Sequence, residues 1–118
     1  MVQIETLAQA VLEGDGVQVR SLVQDFFQQS PCLADIAQPN TTDQRLLAAA
    51  ASLLELFAGR LSQPAPAWTA RIGPSAEPVY LLKSAATMKR LRQLCETESP
   101  EPLRRRRLYA PPNYLEFA

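Results

Sequence analysis

The sequence predicts a small all-α protein, and three observations carry that prediction. Apolar residues recur with helical spacing along its first stretch, and a segment near the middle is apolar almost all round. The helix-breaking residues Gly14-Asp15-Gly16, Pro31 and the proline cluster between Pro64 and Pro78 fall between such stretches. The composition agrees. Of 118 residues, 47% are hydrophobic and 20% charged, the balance of one ordinary globular domain that can bury a core without disulfide or metal support.

Ile4, Leu7, Ala8, Val11 and Leu12 follow the i, i+3, i+4, i+7, i+8 pattern of one helical stripe. Gly14-Asp15-Gly16 breaks it, and Val19, Leu22, Val23 and Phe26 begin a second stripe with Gln18, Gln24, Asp25 and Gln28 opposite. Two amphipathic helices joined by so short a turn are expected to form an antiparallel hairpin over about 3–28. Pro31 ends it, and 31–40 reads as a loop with one turn near Leu33 to Ile36.

Thr41-Thr42-Asp43-Gln44 has capping-box spacing, with Thr41 as the expected cap and Gln44 reaching back. The helix it opens, about 42–60, surrounds the Ala48–Ala51 run with leucines and Phe57, which places it at the centre of a bundle. Residues 62–78 are proline-rich, but Trp68 and Ile72 mark a packed loop rather than a linker. Val79 to Leu82 reads as a short strand or the first turn of a helix, with no evident partner strand. A helix over about 84–98 follows, with Met88, Leu91, Leu94 and Cys95 expected on one inward face. Pro100 and Pro102 suit the first turn of a brief helix, and Pro111-Pro112 prevents a continuous one. The expected architecture is a bundle of about four helices over 1–98 with an irregular proline-rich loop. A basic, aromatic arm over 99–118 is docked on the same domain or on a partner.

Lysine plus arginine and aspartate plus glutamate number twelve each, so the net charge favours no partner class. The distribution is uneven: residues 1–59 hold two basic and seven acidic groups, and 60–118 hold ten and five. Halves so charged either pack on each other or face different partners. Met-Val-Gln-Ile-Glu lacks the basic stretch and apolar core of a signal peptide, and the run Leu46–Ala58 is too short to span a bilayer and contains Glu55. Two widely separated cysteines fit a reduced cytoplasmic protein.

The stretches LEGDGVQVRSLVQDFF, PAWTA and SPEPLRRRRLYAPPNYLEFA resemble small bacterial proteins to which no activity is attached. The resemblance runs over most of the chain. It implies a bacterial cytoplasmic origin and transfers no site residues.

The residue inventory disfavours catalysis. There is no histidine, the commonest general base. Cys95 lies near a helix C-terminus, where the dipole disfavours a thiolate, and its spacing from Leu91 makes it a core residue. Cys32, beside Pro31 and near Asp35, is no better placed. Glu96, Glu98 and Glu101 read as a solvated cluster, and Gly14 and Gly16 lack a phosphate-loop context. No metal, cofactor or membrane contact is expected, and no enzyme activity.

Arg104, Arg105, Arg106 and Arg107 form the sharpest feature. On a helical turn four successive residues sweep about 300°. They cannot all point outward if Leu103 and Leu108 are docked. One reading is a structural clamp onto the acidic half, with partners such as Asp25 or Glu13. A second is a partner-binding surface made of Arg104–Arg107, Tyr109, Tyr114 and Phe117, residue types enriched at interface hot spots. It describes a non-enzymatic interaction or regulatory protein, or an antitoxin-like inhibitor of a partner, and admits self-association. A third is a nucleic-acid-binding face of Lys83, Lys89, Arg90, Arg92, Arg104 and Arg105, with Tyr109 and Tyr114 for stacking on unpaired bases.

Overall fold

The computed structural model describes residues 3–14, 16–29, 32–82, 85, 87–112, 114 and 115. The chain is mostly helical. Among these residues it forms α1 (Ile4–Glu13), α2 (Gly16–Gln28), α3 (Gln44–Leu61), β1 (Val79–Tyr80), α4 (Lys89–Glu98), α5 (Glu101–Arg104) and β2 (Leu108–Tyr109). Single 3₁₀ turns lie at Leu33–Asp35 and Ala67–Arg71.

The stripe Ile4, Leu7, Ala8 and Val11 buries one face of α1 against α2 and α3. Gly14 ends α1 at φ 76°, a left-handed angle that would strain a residue carrying a Cβ, and its N–H donates to the Ala10 and Val11 carbonyls at 3.1 Å. Val19, Val23 and Phe26 are the buried residues of α2. The Phe26 and Phe27 rings stand 5.8 and 4.9 Å from Phe57 of α3, the second pair edge to face.

Helix α3 is the centre of the fold. Ala48 to Leu54 are all buried, so α1 and α5 approach it over small side chains. Its start differs from the expected capping box. Asp43, not Thr41, caps it, the Oδ1 atom accepting from Arg45 N at 3.0 Å and Leu46 N at 3.3 Å. A carboxylate at the positive helix end outcompetes a hydroxyl two residues earlier. Thr41 Oγ1 instead accepts from Asp43 N at 3.1 Å, and Gln44 Nε2 donates to the Gly73 carbonyl at 3.1 Å.

The proline-rich stretch is pinned at Trp68. Its indole N–H donates to the Ile36 carbonyl at 2.8 Å while the ring is 7% exposed. The mostly helical fold also holds one two-residue strand pair: β1 pairs with β2 in a parallel ladder, Val79 opposite Leu108 and Tyr80 opposite Tyr109. Val79 N donates to Arg107 O and Leu81 N to Tyr109 O, both at 2.9 Å. The partner strand thus lies inside the segment read as an irregular arm. Leu103, Leu108, Ala110, Tyr114 and Leu115 from that segment belong to the same hydrophobic cluster as α1 and α3.

Helix α4 also departs from expectation. It starts at Lys89 rather than near 84, with Met88 at its N-cap and no side-chain cap; Ser84 and Ala86 lie outside the described residues. Of the four residues expected to face inward, only Cys95 is buried. Leu91 is half-buried, and Met88 and Leu94 are 56% and 41% exposed. Met88 precedes the helix and so does not follow its phase. Leu94 and Cys95 are successive residues about 100° apart, and a helix packed along one edge buries only one of them.

Candidate functional site

The arginine run follows the short α5, which Pro100 and Pro102 start and Leu103, fully buried, anchors against α3. The turn after it brings Arg107 to φ 65° and feeds the chain into β2. Each arginine then finds a partner within the chain. Arg104 Nη1 donates to the Thr97 carbonyl at 2.9 Å, at the end of α4. Arg107 Nη1 donates to the Ala76 carbonyl at 2.9 Å. Arg105, its side chain 53% exposed, pairs with Glu55.

Arg106 is only 3% exposed and carries the tightest network. Its fork grips the Glu55 carboxylate, Nη1 at 2.5 Å from Oε1 and Nη2 at 3.1 Å from Oε2. Nη2 also donates to Thr69 O at 2.7 Å, Nε to Ile72 O at 3.2 Å and Nη1 to Pro102 O at 3.4 Å. One buried guanidinium therefore ties α3, the proline-rich loop and α5 together. Burial pushes the Glu55 carboxyl up. Hydrogen bonding and charge from Arg106, and then from Arg105, outweigh that effect and hold it below its ordinary value. Glu55, Ala70, Ile72, Pro74, Arg105 and Arg106 line a depression of about 460 Å³ over this network.

The partner of the run is Glu55, not Asp25 or Glu13. The sequence held a signal for it: Glu55 is the one acidic residue in the apolar run Leu46–Ala58, and a carboxylate there needs a cation. Two residues expected at a partner surface face inward. Arg106 is held by the network, and Tyr114 is 9% exposed, its burial pushing the phenol well above its ordinary value. Lys83 and Phe117 lie outside the described residues. Tyr109 is half-buried, its ring 5.5 Å from Tyr80.

Tyr80 in turn sits under the Arg92 guanidinium, 4.9 Å from ring centre to Cζ, and donates its hydroxyl hydrogen to Glu96. Arg92 Nε lies 3.2 Å from Glu96 Oε1. The bond from Tyr80 is the largest influence holding Glu96 below the ordinary carboxylate value, and the bond to Glu96 raises Tyr80. Arg92 is thus engaged within the chain. Lys89 and Arg90 are exposed, and their side chains have no hydrogen bond or ion pair among the described residues.

The charges of α4 run against its dipole. Lys89, Arg90 and Arg92 crowd the positive N-terminal half, and Glu96 and Glu98 the negative end, with no acidic residue in the first turn and no basic one in the last. Local chemistry that conflicts with the element carrying it is expected where a surface serves something other than folding. Cys95 is buried, and burial followed by the charge of Glu96 raises its thiol, the opposite of an activated nucleophile. Cys32 is exposed beside a groove of about 570 Å³ whose walls include Ile4, Phe26 and Ile36.

Among the described residues no group of three or more histidine, cysteine, aspartate or glutamate side chains is placed to hold a metal ion. No helix among them is long and apolar enough to cross a membrane. The chain matches no family model, no curated protein and no solved structure.

Proposed function

We propose that this chain is a non-enzymatic interaction or regulatory protein of a bacterial cytoplasm. Its C-terminal arginine turn braces the fold from within, and its partner surface lies on α4. One observation carries the reading: Met88 and Leu94 are 56% and 41% exposed beside Lys89 and Arg90, two cations with no partner among the described residues. Apolar side chains ringed by unneutralised charge are an ordinary composition for a protein–protein contact. Arg104, which reaches the end of α4, and Arg105, which pairs with α3, are exposed, but each already has a partner within the chain. Inhibition of a partner protein, in the manner of an antitoxin, is one form such a contact takes.

Lys89 and Arg90 also favour a second reading, nucleic-acid binding, with the exposed but already partnered Arg104 and Arg105 as further contacts. Phosphate contacts release counterions, so that affinity falls steeply with salt. The deciding experiment compares partners captured by the wild-type chain, a Lys89→Glu/Leu94→Ser variant and an Arg105→Gln variant, with mixed RNA and DNA titrated in parallel at low salt. The interaction reading expects α4 changes to abolish capture and Arg105→Gln to spare it. Identical partners from all three proteins would sink it, and salt-sensitive binding of RNA or DNA would move the assignment to the second reading.

A further inference from the structure

We infer that α4 is a self-pairing surface: two copies of the chain associate by packing α4 antiparallel to α4 about a twofold axis at Leu94. This rests on the reading of α4 as a binding surface and names one occupant of it. Arg90, Leu94 and Glu98 lie four residues apart, so they form one stripe along the helix. All three are exposed, and the side chains of Arg90 and Glu98 have no hydrogen bond or ion pair among the described residues. The stripe reads cation, leucine, anion. Turned end over end about its leucine, it reads anion, leucine, cation. A second copy therefore offers Glu98 to Arg90, Leu94 to Leu94 and Arg90 to Glu98, the self-complementarity that a twofold contact requires.

The reversed polarity of α4 points the same way. Within one chain, cations at the helix start and glutamates at its end reinforce the dipole instead of offsetting it. An antiparallel neighbour places its negative end beside those cations and its own cations beside Glu96 and Glu98. The arrangement that is unfavourable in isolation becomes favourable in the pair. Leu94 and the half-buried Leu91 supply apolar contact along the seam.

The patch is small. Ten residues of helix span about 15 Å, which sets the contact at the low end of protein interfaces, below about 1,200 Å². The pair is therefore concentration-dependent and exchanging, not obligate.

Charge reversal tests it with its own folding control. Sedimentation equilibrium of the full chain should show a monomer–dimer equilibrium. Arg90→Glu and Glu98→Arg, each alone, juxtapose like charges twice and should weaken association by about tenfold or more. An equimolar mixture of the two variants restores both ion pairs and should dimerise as the wild type does, which also shows that both fold. In a Cys32→Ser background, Leu94→Cys should form a disulfide-linked dimer under mild oxidation, and Gln93→Cys should not. A wild-type chain that stays monomeric at its solubility limit overturns the proposal. So does association indifferent to the single reversals, or a mixture that fails to recover. If the chain is monomeric while α4 substitutions still abolish partner capture, self-pairing falls and the interaction reading stands. If those substitutions change neither, both fall.

Discussion

Replacing Glu55 by glutamine should destabilise the protein far more than any change to the exposed arginines. The substitution keeps the shape of the side chain and removes its charge, leaving the 3% exposed Arg106 without a counterion. Breaking one partner out of a buried pair costs roughly 3–5 kcal/mol. Two features of this site reduce that. Glu55 keeps 14% of its side-chain surface in water, and the carbonyls of Thr69, Ile72 and Pro102 go on accepting from Arg106. The expected loss is therefore about 2–3 kcal/mol. In a domain of 118 residues that is a fall of about 10 °C in Tm. Urea unfolding followed by far-UV circular dichroism measures it. Arg105→Gln is the internal comparison: its side chain is 53% exposed, so its loss should stay below about 1 kcal/mol. A Glu55→Gln loss under about 0.5 kcal/mol, or an equal loss from Arg105→Gln, would refute the reasoning.

The same carboxyl predicts a pH dependence. Its folded-state value lies below the unfolded one, so its contribution is complete above the ordinary carboxylate range and disappears as pH falls through the folded value. Stability should drop on acidification in the wild type and drop less steeply in Glu55→Gln; parallel curves would contradict this. A maleimide should label one thiol of the native protein, the exposed Cys32, and reach buried Cys95 only on unfolding. Rapid double labelling of the folded chain would be the contrary result. Asp43→Ala should cost about 1 kcal/mol as the loss of a helix cap and Thr41→Ala clearly less, read from the two urea midpoints. The reverse order would restore Thr41 as the cap.

The N-terminal helices were legible because each rests on local information. The stripes from Ile4 and from Val19 set two faces, and Gly14 supplies the angle that ends the first. The central helix was legible for the same reason, though its cap is Asp43 and not the expected Thr41 two residues earlier. The β1–β2 ladder was not legible. Two residues are too few to show alternation, and their partners stand 29 positions further on, among arginines and prolines. The buried face of α4 was not legible, because periodicity gives the spacing of apolar residues and not the depth of their packing. Of the candidate site, the arginine run was plain, and its geometry implied that some members turn inward. Which member does so depends on where α5 meets α3, a long-range contact that places Glu55 opposite Arg106 and leaves Arg104, Arg105 and Arg107 outside.

The described residues of the C-terminal segment, 99–112, 114 and 115, are part of the fold and not a detachable tail. A chain ending at Glu98 tests that directly, by its urea unfolding beside the full-length protein. It lacks Arg106, the strand opposite Val79 and the buried Leu103 and Leu108, and should show no cooperative transition. A shortened chain that unfolds cooperatively at the full-length midpoint would contradict the account.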